Sequence, residues 1–444
     1  MTYILLALYL LVFGFWLRHT PSVKHLDLSR RFLFSIFLFK LLMGGVYLLI
    51  YKYYFVEGDT FAYLQESTLI GQSFWDYPSY YFANIFGAGA PPPEGATVFL
   101  YPSAYLFWKD LGTYVLVHIH ALLYPFTNGL YGVHLFFIGL LGWMASLNFY
   151  HIFKKILYLP KNLLLICCFF LPSLSFWTAG MHKDVYVYYG LSLFCLGLLR
   201  WQQQENKVWQ PLIGGIIVIG LTRYYLLALV LPAAIAYLLT LRQKRVFITY
   251  ALVYLASLGV ALIGCELLLD KSVFEVLSQR QLAFLAEKGG SSMVNVTPFE
   301  PTFWGVLSAL PAAIFNIIGR PFLWECKDIL QLVASLEMVS FIVLLAFSLS
   351  YRKTAPTHIH PLVYFLLAYT VSNLLLVGLL VYNIGTLVRY RAIGLGILST
   401  LLIHLLDVPA RFQPPQNTIP PAPTPPLSSV RPPIPSQKKA NLVP

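Results

Sequence analysis

Apolar residues in this chain neither alternate nor recur at the spacing of a surface helix; they run on unbroken. Such runs cover residues 3–17, 32–55, 129–153, 163–178, 185–200, 248–269, 329–350, 362–382 and 392–406. Most approach or exceed the roughly 20 residues that a helix needs to cross about 30 Å of hydrocarbon. The pattern predicts an all-α polytopic membrane protein with about nine full spans, because a helix satisfies its own backbone groups in lipid. Two apolar regions fit the pattern poorly. Residues 112–127 are short and punctuated by His118, His120 and Pro125, which predicts a re-entrant or interfacial helix. Residues 211–241 are interrupted by Arg223, which predicts a pair of short helices folding back on themselves.

Composition agrees: the 444 residues are 58% hydrophobic and only 11% charged, which excludes a set of soluble domains. The net charge of +12 does not form a nucleic-acid-binding face, because the basic residues fall in loops. Lysine and arginine gather in 18–31, 154–161, 242–245, 351–361 and the tail after 407, whereas 56–111 is acidic. By the positive-inside rule the basic loops are cytoplasmic, the N-terminus is outside and the C-terminus inside. No basic segment precedes the run 3–17 and no small-residue cleavage site follows it, so it reads as a retained helix. The five cysteines show no metal-ligand spacing, and three of them sit inside apolar runs as small hydrophobes. A Cys265–Cys326 bridge is not expected.

The domain reading follows from these assignments. Residues 1–408 form a transmembrane domain with long outer loops at 56–111 and 270–328, and 303–318 reads as an amphipathic or interfacial helix. Gly289-Gly290-Ser291-Ser292 marks a flexible point in the second loop. Residues 409–444 are rich in proline pairs and too poor in apolar residues to pack. They predict a disordered cytoplasmic tail of polyproline II character, a solvated tail or a docking segment for a protein partner.

The charges that do not belong to the loop pattern collect on the outer side. Glu57 and Asp59 open the first long loop; His182, Lys183 and Asp184 follow the run 163–178. Arg223 sits at the tip of the short-helix pair, Arg320 and Glu325 close the second loop, and Arg389 and Arg391 flank Tyr390. Glu337 lies about a turn below the outer end of its span. Each group also has a plainer reading. Lys183 and Asp184 suit an interfacial pair, Arg320 and Glu325 a loop clasp, and Arg389 and Arg391 headgroup anchors. His118 and His120, two apart and lacking an acidic or cysteine companion, read as structural. Arg223 resists a plain reading, since an unpaired charge between two short helices is costly in a membrane.

Guanidinium forks suit phosphate, and a carboxylate suits proton abstraction from a hydroxyl. Together they fit transfer of a sugar from a lipid-linked phosphate, with Asp59 and Glu57 as the acids and Arg223, Arg320, Arg389, Arg391 and Lys183 on the phosphate. His182, Asp184, Glu325 and Glu337 would support them. No glycine-rich nucleotide-phosphate motif is evident, which agrees with a lipid-borne donor.

The acidic motif in an early outer loop, the interfacial helix, the broken helices and the outer arginines resemble the C-type (GT-C) glycosyltransferase superfamily. The strings Phe176-Trp177-Thr178-Ala179-Gly180-Met181-His182-Lys183-Asp184 and Gly385-Thr386-Leu387-Val388-Arg389-Tyr390-Arg391 are similar to motifs of a group of bacterial multi-span proteins. Those motifs read roughly F-W-S-S-G-x-x-K-D and G-T-x-x-R-Y-K, and the resemblance covers about 30–406. It implies a GT-C-like fold in a bacterial inner membrane, a polyprenyl-phosphate-linked sugar donor, and Asp59 as catalytic base. Glu57 would be its partner, or a ligand where a divalent cation (Mg2+ or Mn2+) takes part. The acidic pair here follows the second span rather than the first, so the helix at 3–17 would be an addition. A glycan polymerase or ligase using a polyprenyl-diphosphate oligosaccharide is the second enzyme reading. A lipid-linked glycan flippase or transporter is the non-catalytic one, and it would need charge along a mid-membrane path. Only Lys40 and Glu337 lie that deep.

Overall fold

The structure, a computed structural model, describes residues 1–21, 23, 26–55, 58–86, 107, 109–243, 245–286, 293–294, 296–351 and 359–406. Glu57, the Gly289–Ser292 segment and the tail 409–444 lie outside them. Among the described residues there is no strand; Met293 and Asn383 form one isolated antiparallel bridge.

The helices run in order α1 (Thr2–His19), α2 (Arg30–Ile50), α3 (Asp59–Asp76), α4 (Pro78–Ile85), α5 (Leu111–Thr127) and α6 (Tyr131–Ile156). They continue with α7 (Lys161–Leu165), α8 (Pro172–Trp177), α9 (Lys183–Gln202), α10 (Trp209–Arg223), α11 (Leu227–Thr240) and α12 (Val246–Leu269). The last are α13 (Val273–Ala286), α14 (Phe303–Gly319), α15 (Ile329–Ser350), α16 (Pro361–Leu380) and α17 (Ile384–Leu405). Among the described residues eight segments are long and apolar enough to cross a membrane: α1, α2 with its π-helical extension to Phe55, α6, the α10–α11 stretch, α12, α15, α16 and α17. The protein is therefore an all-α, multi-pass membrane protein in character. Apolar side chains on α12 remain outward, with Leu255 67% and Val260 71% exposed, as a hydrocarbon-facing helix requires. The centre is aromatic: Phe149 stacks on Tyr188 at 5.1 Å, and the Trp143 indole donates to the Leu33 carbonyl at 3.1 Å.

Three local differences from the sequence pattern have physical causes. The run 163–178 is not one helix but α7, a π-helical turn (Ile166–Phe170), an extended Leu171 and α8. Pro172 lacks an N–H and disfavours a helical residue before it. The run 185–200 belongs to α9, which at 20 residues is long enough to span but carries Lys183, Asp184 and Arg200 and so falls short in hydropathy. Residues 383–391, expected as an outer loop, are instead the cap and first turns of α17. Asn383 accepts the Thr386 N–H at 3.2 Å, and Arg389 and Arg391 are helical.

The short-helix pair is present. Arg223 leaves the helical region (φ −146°, ψ 72°), Tyr224–Leu226 make a tight turn, and the chain reverses. Trp209 packs edge-on against Trp201 at 5.3 Å, and Tyr237 donates to the Leu198 carbonyl at 3.2 Å, so the two open ends of the pair lie beside the C-terminal end of α9. Arg223 is at the opposite tip. The stretch expected as a re-entrant or interfacial segment is the single helix α5. Its first turn meets Lys183 and Thr222, and its last lies by the start of α6, where Thr127 bonds His134 at 2.9 Å. With α3 and α4 it forms a layer across one end of the bundle: Tyr81 on α4 donates to the Ala121 carbonyl at 3.0 Å. All five cysteines are free.

Candidate functional site

Four helix starts and one helix tip converge beneath this layer. Asp59 is the first residue of α3, Asp184 the second of α9, and Asp110 caps α5. Carboxylates are favoured there because the first turn of a helix presents unpaired N–H groups. The α10 tip brings Arg223, and α17 brings Arg389.

Asp184 is the hub. Its side chain is 3% exposed, and Oδ1 meets Arg223 Nη2 at 2.8 Å while Oδ2 faces Arg389 Nε at 3.6 Å. Both guanidinium groups also face the Tyr390 ring, at 4.1 and 4.9 Å from its centre. Arg389 Nη1 donates to His182 Nε2 at 3.2 Å, so that nitrogen carries no proton and the imidazole is neutral with its proton on Nδ1. Burial first, and then the Arg389 charge, press the His182 pKa well below its ordinary value. Asp59 completes the row, 3.8 Å from Arg389 Nη1 with its side chain 58% exposed. The buried Arg223 and the half-buried Arg389 thus share one buried carboxylate, and among the described residues the remaining positive charge is paired only with the exposed Asp59. Among the described residues such a site is short of an anion.

Lys183 does not face this centre. It pairs with Asp110 at 2.8 Å, and Asp110 also accepts from the Thr113 N–H and hydroxyl. The pair ties α5 to α9 over the α10 tip, at a contact so close that a Cβ on Gly112 would lie 2.2 Å from the Thr222 carbonyl oxygen. Burial raises the Asp110 pKa, but the Lys183 hydrogen bond and charge outweigh it and hold the carboxyl below its usual value.

Three predicted residues form a separate bracket. Arg391 is 1% exposed and donates to the carbonyls of Ile317, at 3.1 Å, and Arg320, closing the end of α14. Arg320 pairs with Glu325 at 3.6 Å, and Glu325 accepts the Phe322 N–H. These groups hold α14 to α17 and leave no guanidinium turned to the Asp184 centre. Glu337 accepts from the Ser173 N–H at 3.1 Å and from the Ser173 hydroxyl.

A cavity of about 850 Å3 opens beside Arg389, between α2, α8, α15 and α17. Its walls are mostly apolar or aromatic, among them Met43, Val46, Phe176, Trp177, Val333 and Val388. Arg389, Asn383, Gln331 and Asp328 are among its polar lining residues, and Arg389 is the one lysine or arginine among the described residues that line it. Among the described residues no group of three His, Cys, Asp or Glu could hold a metal ion.

The run-on apolar pattern hid two participants. Asp110 is signalled by Asp110-Leu111-Gly112-Thr113 ahead of an apolar run, a cap signature. Tyr390 was visible only as the residue between two arginines. No protein-family profile, curated protein or solved structure matches this chain.

Proposed function

We propose that this protein is an integral membrane glycosyltransferase of GT-C type. It would move a sugar from a polyprenyl-phosphate donor to an acceptor hydroxyl at the outer face of a bacterial inner membrane, its N-terminus outside and C-terminus in the cytoplasm. One observation carries the reading: Arg389 stands between an exposed carboxylate, Asp59, and a largely apolar cavity. A lipid phosphate fits that arrangement, with its chain along the apolar wall and its charge on Arg389.

The geometry then divides the labour. Asp184 and Tyr390 fix the Arg389 guanidinium, so no reorganisation is needed when negative charge grows on the phosphate. Asp59, displaced from Arg389 by the phosphate, takes the proton of the acceptor hydroxyl. The acceptor oxygen bonds to the anomeric carbon from the face opposite the phosphate. The carbon–oxygen bond to phosphate breaks, and its electron pair leaves with the phosphate, inverting the anomeric centre. A single cavity-lining cation among the described residues favours a monophosphate donor over a diphosphate-linked oligosaccharide. Lys40 and Glu337, the deep charges that a transport path would use, are bonded to α8 and its flanking turn, which favours chemistry at one face.

The test is transfer by purified protein in lipid with a labelled polyprenyl-phosphate sugar. Asp59→Asn should lower transfer by about 10²–10⁴-fold, the usual contribution of a general base, with the fold retained. Full activity in that variant overturns the assignment.

A further inference from the structure

Helix α8 has only six residues and lies in the broken stretch between α7 and α9; adjacent residues bond some of its end groups, and others take partners from other helices. Inside a membrane protein such groups must find partners. At the start of α8, Glu337 on α15 takes the Ser173 N–H at 3.1 Å and the Ser173 hydroxyl. At its end, the Lys40 ammonium on α2, 6% exposed, donates to the Ser175 carbonyl at 3.2 Å and the Thr178 hydroxyl oxygen at 2.5 Å. Neither charge has an oppositely charged partner within 4 Å among the described residues.

What α8 connects gives the clamp a consequence. Ser173, Phe176 and Trp177 form one wall of the cavity. The chain then passes through the fully buried Thr178, Ala179 and Met181 to His182 and Asp184. That loop is seated without slack: a Cβ on Gly142 would lie 2.5 Å from the Thr178 carbonyl and 2.6 Å from Lys40 Cε, and one on Gly44 would lie 2.9 Å from the Ala179 carbonyl. A shift of α8 therefore moves the cavity wall and the Arg389 partners together.

We propose that Lys40 and Glu337 are positioning residues that act through α8, holding the Trp177 wall and the His182–Asp184 loop in one fixed relation. The clamp stands apart from the glycosyltransferase reading and rests on it only for what is being positioned. The experiment uses full-length protein in lipid nanodiscs, with 5-fluorotryptophan and 15N-histidine reporting on Trp177 and His182. Trp177→Phe and His182→Gln assign the two resonances.

Lys40→Met and Glu337→Gln should each displace both resonances, whereas Glu266→Gln on the exposed face of α12 should displace neither. The double variant should move them by less than the sum, since both charges act on one element. If the charge variants do not fold, Thr178→Val and Ser173→Ala remove single contacts and should move the same two signals. Resonances that stay in place, or of which only one moves, overturn the clamp. Undecaprenyl phosphate titrated into the same samples should bind the charge variants more weakly than the wild type. Wild-type protein that does not bind it overturns the lipid-phosphate reading and leaves the resonance test of the clamp to decide on its own.

Discussion

Replacing Asp184 by asparagine removes the one buried carboxylate that two guanidinium groups share. Asp184 and Arg223 are 3% and 8% exposed at the side chain and meet at 2.8 Å, so water does not replace the lost charge. Breaking a buried pair from one side costs about 3–5 kcal/mol, because the orphaned cation stays desolvated. Asparagine retains an acceptor for Arg223, which places the expected loss toward about 3 kcal/mol, or roughly a hundredfold in the folding equilibrium. Asp59→Asn touches Arg389 at 3.8 Å with a 58% exposed side chain, and should cost no more than about 1 kcal/mol. Arg223→Met in the Asp184→Asn background removes the uncompensated charge and should restore part of the loss. Unfolding in mixed micelles, titrated with denaturing detergent, compares the four proteins directly. The reasoning fails if Asp184→Asn is silent, or if Asp59→Asn costs as much.

Two further outcomes concern the layer above the site. The Asp110 carboxyl is held below its unfolded value of 3.8, so the Lys183–Asp110 contribution is complete above about pH 4 and is lost as pH falls through the lowered folded value. Stability measured from pH 5 to pH 2 should therefore fall less steeply in Asp110→Asn than in wild type, and equal slopes would refute the pairing. Between α5, α6 and α9, Tyr186 bonds His120 Nε2, His120 Nδ1 meets His134 Nδ1 at 3.3 Å, and His134 Nε2 meets the Thr127 hydroxyl at 2.9 Å. That hydroxyl donates to the Leu123 carbonyl, so the chain has one consistent direction, with His134 protonated on Nε2 and His120 on Nδ1. Nitrogen NMR should find those two different tautomers, and Tyr186→Phe should cost about 1–3 kcal/mol by leaving His120 Nε2 unpaired; two identical tautomers would refute the chain.

Hydropathy made the membrane class and most long helices legible, because crossing hydrocarbon imposes a length and a composition that few other demands imitate. Arg223 marked the reversal between α10 and α11 for the same reason: a charge there needs a turn and a partner. The sequence could not say which partner. Asp184 follows Lys183 directly, and their adjacency suggests a pair; on a helix, neighbours point about 100° apart, so Lys183 turns to Asp110 and Asp184 to Arg223. Arg389 and Arg391 look alike in sequence and part for the same reason, one facing the cavity and the other the end of α14. Hydropathy also misled at 383–391, where two inward-facing arginines, Arg391 buried and Arg389 half-buried, lower the average of a stretch that is helical. A buried cation and a solvated one are identical to a sliding window.

The Asp59–Arg389 contact makes one variant act in opposite directions on binding and on transfer. In the free site Asp59 competes for the guanidinium that would hold the phosphate, at 3.8 Å and largely in solvent. Such a pair is worth about 0–1 kcal/mol, and a bound phosphate must displace it. Asp59→Asn abolishes that competition together with the base. Undecaprenyl phosphate should then bind up to about fivefold more tightly than to wild type, while sugar transfer is lost. A carboxylate that merely braced the fold would weaken both, and one that ligated a cation needed for phosphate binding would weaken binding first. Weaker binding by Asp59→Asn, in a protein that still unfolds like wild type, removes Asp59 from the role of base released by its substrate.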